Sequence, residues 1–435
     1  MSPPTNPSTV DAAEASDTAD TADASTEAAE QSAQVRAAEP RRRSVGGGRG
    51  FPSASRGGGR VAGLDGLRTV AVLLVIVYHV EPGPLPGGSV AVDVFFTLSG
   101  FVITRLLIAE YARSGRIGLG SFYRRRWLRL GPALLLMCAV TALLSLALPL
   151  PLFDGAWTAA ALAAVSVVNL VRAGEPGSYS DVTSALSHTW SLGVEEQFYL
   201  AWPLLLLLLL RRTTARKVLA WVAALCVLPL LWRLALWDPT AAHRIYNGPD
   251  TRADQLLIGA LLAVVLARLR ADDPRLELLR RWAGRLCWPA LALLGLIAWQ
   301  IPIAEASAWN PVWYTAGFMV AAVLSATVIA ALELVPGSWP SRLLSIAALA
   351  WVGRNLSYGM YLWHYPVIRL LSDLGVTDDH LLPAGLATTV VAALVSYALV
   401  ERPLLRRASR GKRTAATTGA VPAPAPVHGC AASAR

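Results

Sequence analysis

Eleven long apolar segments constrain the fold of this chain more than any other feature. Hydrophobic residues make up 54% of the 435 residues and charged residues only 16%, which differs strongly from a soluble domain. About 20 apolar residues span a bilayer as a helix, because a helix satisfies its own backbone hydrogen bonds in hydrocarbon. The sequence therefore predicts an all-α polytopic membrane protein. The segments are residues 64–80, 90–109, 129–150, 156–171, 197–210, 217–236, 253–269, 285–301, 312–334, 346–371 and 382–400.

Clusters of basic residues between these segments predict their orientation, because loops rich in Lys and Arg remain in the cytoplasm. If all the clusters are cytoplasmic, an even number of membrane crossings must separate each cluster from the next. This condition fails only between residues 129 and 211, where three apolar segments lie. The shortest segment there, 156–171, is therefore predicted to be re-entrant or interfacial. About ten spanning helices result, in the cytoplasmic membrane and with both termini cytoplasmic. The clusters are residues 36–60, 105–129, 211–217, 268–285 and 402–413.

The two ends of the chain lack the apolar residues needed to build a core. Residues 1–60 begin with acids among small residues and continue with Arg, Gly, Ser and Pro, a composition typical of disorder. We expect 1–60 and 409–435 to be disordered cytoplasmic tails and 61–408 to be one membrane domain. The basic part of the first tail would lie against anionic lipid headgroups.

Charge and cysteine usage exclude two classes of function. The net charge of +10 comes mostly from arginine, and in a membrane protein such an excess marks cytoplasmic loops and does not indicate nucleic-acid binding. The four cysteines are scattered without CxxC or metal-ligand spacing, so we expect neither a metal site nor a redox motif.

The first two apolar segments carry charged groups that membranes rarely tolerate, since a charge at the bilayer centre costs about 3 kcal/mol. Arg68 and His79 are eleven residues apart, or three helical turns, so they share one face and His79 lies roughly 16 Å deeper. An imidazole can take a proton from a hydroxyl and return one to a leaving group. We expect His79 to be a general base whose tautomer Asp93 holds; the alternative is an interhelical hydrogen bond.

A basic run, SFYRRRWLRL, stands where the third apolar segment begins. Arg126 and Arg129 are one helical turn apart and can present two planar guanidinium groups to one anion. A donor with several phosphates, such as coenzyme A, would suit them. The alternative is a topogenic signal with no ligand.

Four further residues are candidates for contact with a polar substrate. Glu195 and Glu196 point about 100° apart on a helix, so at most one faces a given site, and we expect Glu196 to face it. Arg252 and Asp254 begin another apolar segment, either as polar substrate contacts or with Arg252 in a structural ion pair. His364 is buried midway along a long apolar segment and is a candidate for a direct role.

Seven motifs in order give the chain a resemblance to a known family. Over residues 61–408 it resembles the acyltransferase-3 family of integral membrane acyltransferases, whose Arg-x10-His signature corresponds to Arg68 and His79. The other matching motifs are VDVFFTLSGFVIT, the basic group Arg125, Arg126 and Arg129, HTWSLGVEEQFYLAWP, DTRADQLLIGALLA, LSYGMYLWHYP and ERP at 401–403.

The resemblance implies ten core helices, an acyl-CoA donor used from the cytoplasm, and transfer of an acyl group, commonly acetyl, to a hydroxyl. The acceptor would be a carbohydrate, a cell-surface glycan or a glycosylated metabolite. It also implies that Arg68 and His79 are essential and that Arg125, Arg126 and Arg129 serve the donor. Some members carry a C-terminal extracytoplasmic hydrolase-like domain, which we do not expect in the short stretch after Glu401.

The residues leave the mechanism and one alternative function open. The residues do not decide between direct transfer and a covalent relay through an acyl-His or an acyl-Ser such as Ser99. A transporter or flippase would also place charges in the membrane, as a proton or substrate pathway. The ordered motifs favour the enzyme.

Overall fold

The computed structural model describes residues 51–52, 59–80, 83–174, 185–302 and 310–406, which all belong to the compact unit Gly48–Arg435. In these residues all regular structure is helical and there is no strand, which confirms the predicted all-α class. The two predicted tails lie outside the described residues, except for 51–52 and 59–60.

Fifteen α-helices are formed by the described residues, and short helical turns extend some of them. Five-residue π-helical turns, Trp313–Gly317 and Tyr397–Glu401, precede α11 and follow α15. The helices are α1 (Ala62–Val80), α2 (Val90–Ser114), α3 (Leu119–Ala147), α4 (Ala156–Ala164), α5 (Val168–Gly174), α6 (Trp190–Arg212), α7 (Ala215–Leu236), α8 (Ala242–Asn247), α9 (Pro249–Arg268), α10 (Pro274–Gln300), α11 (Phe318–Leu334), α12 (Trp339–Leu344), α13 (Ala347–Asn355), α14 (Ser357–Asp373) and α15 (Asp378–Ser396).

Eight of the described helices are long and apolar enough to cross a membrane, or nine if one bent pair counts as a span. The predicted spans 253–269 and 346–371 are not among the eight. The first forms α9, which carries three charged side chains near its start. The second is divided at Leu356 into α13 and α14, and neither part reaches 18 residues. The chain is therefore a polytopic membrane protein in which two predicted spans depart from a simple apolar helix.

The bent pair is the segment predicted to be re-entrant or interfacial. Helices α4 and α5 meet at 115°, and Ser166 between them has a positive φ of 58°. A straight crossing by residues 156–171 is excluded by this bend, which has the geometry of a re-entrant loop or a broken span.

Two glycines bring α2 and α9 into close contact. A methyl group at Gly100 would overlap the carbonyl oxygen of Leu256, and one at Gly259 would overlap that of Thr97. Small residues at a crossing let two helix backbones approach without side chains between them. This crossing holds the polar first turns of α9 against the first turns of α2, where Asp93 lies.

Candidate active site

A cavity of about 390 Å³ lies between α1, α2, α3, α6 and α14. It begins where α1 and α3 start and α2 ends, which is an end of the bundle rich in arginine. Apolar side chains such as Val92, Phe95 and Leu130 form much of its wall. Its polar lining is formed by Arg60, Asp65, Arg68, Ser99, Arg105, Arg126, Arg129, Ser191, Glu195, Ser357, Tyr358 and Tyr361.

Arg68 faces this cavity and is only weakly paired. Its Nη1 lies 3.6 Å from Oδ1 of Asp65, one turn earlier on α1. That carboxylate also receives the Nε of Arg60 at 2.9 Å and of Arg354 at 3.4 Å. Asp65 is thus shared among three guanidinium groups, so Arg68 keeps hydrogen-bond donors for a ligand.

The predicted donor-binding arginines divide into two groups. Arg126 and Arg129 line the cavity, and the Arg126 guanidinium lies over the ring of Tyr199, 3.5 Å from its centroid. Arg125 does not line the cavity; its Nη1 donates to Ser121 at 3.0 Å and its Nη2 lies 3.6 Å from Glu110. The helix turns Arg125 away by about 100° per residue, so only Arg126 and Arg129 can present their guanidinium groups together.

The acidic pair on α6 is oriented opposite to our expectation. Glu195 lines the cavity, whereas Glu196 does not and lies 3.9 Å from Arg126. The hydroxyl of Ser99, on α2, donates to Oε1 of Glu195 at 2.6 Å. The position of α6 against α2 decides this choice, and it corrects the expectation that Glu196 faces the site.

Three histidines from distant parts of the chain form a cluster. The ring of His79 on α1 lies 4.9 Å from that of His364 on α14, and the latter lies 5.2 Å from the ring of His188 before α6. Tyr365 contacts both His79 and His188 at 5.3 Å. The structure thus brings together His79 and His364, which were both predicted to act, and adds His188.

Backbone carbonyls hold His79 and His364 through Nδ1, whereas His188 is held through Nε2, 3.0 Å from the oxygen of Leu362. His79 Nδ1 lies 2.8 Å from the oxygen of Val75, and His364 Nδ1 lies 2.6 Å from that of Tyr361. A carbonyl oxygen only accepts, so these Nδ1 atoms carry the hydrogen and the Nε2 atoms of the same two rings carry the lone pairs of neutral rings. His79 therefore has the tautomer of a base at Nε2. Within the described ranges, no group of three or more His, Cys, Asp or Glu side chains is arranged to hold a metal ion.

A hydrogen-bonded pair separates the cavity from the histidine cluster. Ser191 and Tyr361 line the cavity, and their hydroxyls share a short hydrogen bond. The Tyr361 hydroxyl also donates to the carbonyl of His188 at 3.1 Å, and its ring lies 5.3 Å from that of His364. The three histidines are not part of the cavity lining.

Asp93 does not contact His79. Its Oδ1 accepts from Nη2 of Arg252 at 2.7 Å and from Gln255 at 2.8 Å. Both charged side chains are about 1% exposed, and the ring of Phe318 lies 3.8 Å from the Arg252 guanidinium. This corrects the expectation that Asp93 holds the tautomer of His79, a task that the carbonyl of Val75 performs.

Asp254 is likewise paired inside the protein and does not face the cavity. Both of its oxygens accept from Arg233 on α7, at 3.0 and 2.6 Å, and neither side chain is exposed. Arg233 also donates to the carbonyls of Thr315 and Thr251. Arg252 and Asp254 therefore form structural ion pairs, the alternative left open for Arg252, and their predicted substrate contact has no support in this geometry.

Several polar residues of the region escaped prediction from sequence. His188 belongs to a recognised motif but gave no periodic signal, and Arg233 lies alone in an apolar segment. Arg172, on the bent pair, is buried, donates to the carbonyl of Ser187 and lies near His79 and His188. For Arg172 and Arg233 the sequence did offer a signal, because an arginine in an apolar segment needs a polar partner inside the membrane.

Comparison with known proteins places this arrangement in a family. The profile described as an acyltransferase domain matches residues 61–401. The peptidoglycan O-acetyltransferase OatA of Listeria monocytogenes is 33% identical over 354 residues, covering 79% of this chain and 56% of the relative. The O-acetyltransferase OatA of Staphylococcus aureus is 30% identical over 357 residues, covering 79% of this chain and 57% of the relative.

The chain thus spans about half the length of the curated relatives it matches. No solved structure gave a significant match. The family profile covers the helices that build both the cavity and the histidine cluster. The chain therefore belongs to the acyltransferase-3 family and carries its acyltransferase domain.

Proposed function

We propose that this protein is an O-acyltransferase of the cytoplasmic membrane that moves an acyl group, acetyl above all, from acyl-CoA to a hydroxyl of a carbohydrate. The observation that carries the proposal is a cavity with guanidinium groups at one end, next to a cluster of imidazoles. Anion binding and proton transfer are the two tasks that such a transfer requires.

The donor would occupy the cavity. Arg126 and Arg129 offer planar forks to the phosphates of CoA, which a guanidinium binds better than an ammonium group does. The pantetheine arm would run along the apolar wall of Val92, Phe95 and Leu130. Arg68, whose carboxylate partner is shared, would then lie beside the thioester and stabilise negative charge that develops there.

The acceptor would meet the histidine cluster. A hydroxyl attacks only after it loses its proton, and Nε2 of His79 is the available base, because Nδ1 bonds the carbonyl of Val75. The lone-pair nitrogens of His188 and His364 are buried without a hydrogen-bond partner in the described part of the chain. The hydroxyls of an acceptor could donate hydrogen bonds to these nitrogens.

Carbohydrate as the acceptor class is supported by the relatives, one of which is a peptidoglycan O-acetyltransferase. Because this chain covers 56% of that relative, we extend only the class to it, as a cell-surface glycan or a glycosylated metabolite.

We further propose that the arginine-rich end and both termini face the cytoplasm, the compartment that holds acyl-CoA. Single cysteines at Arg212 and Arg275 should then be labelled only from the cytoplasmic side, and one at Thr240, an exposed residue of the segment that contains Gly248, only from outside. The three described native cysteines and Cys430 would be replaced first. Labelling of position 212 from outside would mean that residues 156–171 span the membrane, and it would contradict this topology.

The function is tested with membranes that contain the protein. Adding acetyl-CoA and a glycan acceptor should release free CoA and give a product heavier by one acetyl group. Mass spectrometry of glycans and secreted metabolites from a deletion strain should reveal which acylated product is lost. If the acceptor crossed the membrane of sealed vesicles and no CoA were released, the protein would be a transporter and not an acyltransferase.

A further inference from the structure

We propose that Ser99 is acylated during the reaction, with Glu195 as its general base, so that the acyl group passes from the donor to the protein before it reaches the acceptor. The proposal rests on the proposed function, since it assumes an acyl thioester in the cavity. It concerns the order of the chemical steps and adds a covalent site at Ser99.

Among the hydroxyls that line the cavity, Ser99 alone donates to a carboxylate, at 2.6 Å. The others donate to groups that are not bases near neutral pH: Ser357 to the carbonyl of Gly353 at 2.7 Å, Tyr358 to that of Leu130 at 3.0 Å, and Tyr361 to that of His188 at 3.1 Å, while Ser191 donates to the Tyr361 hydroxyl. A carbonyl cannot take a proton near neutral pH, whereas a carboxylate can. Nucleophile and base within hydrogen-bond reach is the arrangement that activates a serine.

The surroundings of this dyad suit the attack on a thioester. Arg68 and Arg126 line the same cavity and lie near enough to Glu195 to interact with its charge. Guanidinium groups fixed beside a reacting carbonyl stabilise the oxyanion that forms on attack. Ser99 is partly exposed to the cavity, so a bound thioester can reach its Oγ.

The position of the imidazoles explains why a relay is needed. The histidines lie beyond the Ser191 and Tyr361 pair and do not line the cavity. A thioester in the cavity therefore meets the hydroxyl of Ser99 and not a hydroxyl held by His79. After CoA departs, opening of the Ser191 and Tyr361 hydrogen bond would expose the acylated serine to the acceptor.

The acyl group moves in two steps, first to Ser99 and then to the acceptor. Ser99 Oγ loses its proton to Glu195 and forms an ester bond while the thioester C–S bond breaks, and Glu195 passes the proton to the departing CoA thiolate. The acceptor hydroxyl then loses its proton to His79 and forms the new ester bond. The bond from Ser99 to the acyl carbon breaks, and the serine oxygen regains a proton from the imidazolium.

The first test is acylation without acceptor. Purified protein mixed with acetyl-CoA should release a burst of about one CoA per molecule and carry one acetyl group on the peptide that contains Ser99, measured by mass spectrometry. Ser99→Ala should lose the burst, the label and nearly all transfer. Ser325→Ala is the matched control, because this buried serine of α11 donates to Ala321 and lies outside the cavity; it should behave as the wild type.

Two further variants separate the relay from a structural role of Ser99. His79→Gln should keep the burst and accumulate label on Ser99 while transfer is lost, because only the second step needs the imidazole. Ser99→Cys should still be labelled, now as a thioester that neutral hydroxylamine cleaves. Glu195→Gln should slow labelling by about 100-fold.

Full transfer by Ser99→Ala, or no burst and no label in a wild-type protein that transfers acetyl, would overturn the relay and leave direct transfer. A wild-type protein that forms labelled Ser99 but acylates no carbohydrate would instead contradict the proposed function. The two failures therefore give different results in the same assays.

Discussion

Two regions of the protein contain buried arginines, and these arginines differ in their pairing with carboxylates and in their exposure. Around the first turns of α9, Arg252 and, from α7, Arg233 are fully buried and bound to carboxylates at 2.7 and 2.6 Å. In the cavity, Arg68 and Arg126 are 21% and 20% exposed and lie 3.6 and 3.9 Å from carboxylates. In the first region the arginines are enclosed in ion pairs, whereas in the second they face the cavity.

The difference shows which charges serve the fold and which are available to a ligand. A fully desolvated ion pair is destabilising to break, since the remaining partner is left charged and buried. A partly exposed arginine with a distant partner retains donors for a substrate, and its removal costs the fold less stability. The sequence motifs make Arg68, Arg252 and Asp254 equal candidates for the site. Their partners in the structure separate Arg68, which is available to a ligand, from Arg252 and Asp254, which form buried ion pairs.

The largest effect on stability should follow from breaking an ion pair of the first region. Asp93→Ala would leave Arg252 buried without its carboxylate and Gln255 without its acceptor, and we expect a loss of about 3–5 kcal/mol of stability. Thermal unfolding of the detergent-solubilised protein measures this loss. Arg68→Ala is the control from the cavity and should unfold near the wild-type temperature while losing activity. Equal stability of Asp93→Ala and wild type would remove the distinction between the two regions.

The largest effect on activity with the fold intact should come from His79→Gln. Glutamine keeps the size and a hydrogen-bonding amide but cannot exchange a proton near neutral pH. We expect a loss of acetyl transfer of about 100-fold or more, with normal insertion and melting temperature. If most activity were retained, the catalytic reading of His79 would be abandoned and His364 would be tested next. Arg68→Lys should also impair transfer, because a point charge does not replace a planar fork.

A smaller effect is expected from removing the two arginines that line the cavity together. Arg126→Ala with Arg129→Ala should raise the KM for acyl-CoA by about tenfold, the worth of one charge-assisted hydrogen bond. The difference from wild type should shrink at high salt because ions screen the native contact. The matched control is Arg124→Ala with Arg125→Ala, which removes the same charge outside the cavity lining. An unchanged KM in the first variant would make this cluster a topogenic signal only.

The smallest effect is expected at an exposed ion pair, which sets the scale for the others. Arg281 lies 3.1 Å from Glu277 one turn away on α10, and both side chains are about half exposed or more. Arg281→Ala should cost only about 0.3–0.5 kcal/mol, with unchanged transfer. A loss comparable to that of Asp93→Ala would mean that burial is not what distinguishes the ion pairs of this protein.

Much of the architecture follows from the order of the residues. The apolar segments predict the helices, because a backbone in hydrocarbon must satisfy its hydrogen bonds within itself. The weak segment 156–171 was expected to depart from a straight span, and α4 and α5 do so at 115°. The spacing of Arg126 and Arg129 already places both on one face, since neighbours along a helix are fixed by its pitch.

Contacts between helices were decided only in the folded chain. Asp93 meets Arg252 across 159 positions, and His79 meets His364 across a still longer separation. The choice of Glu195 over Glu196 depends on the rotation of α6 about its own axis, which its sequence leaves free because apolar residues surround it. Helical periodicity relates residues within one turn or a few, whereas the crossings of α2, α6, α9 and α14 depend on close packing between distant segments. That packing determines which charges pair and which face the cavity.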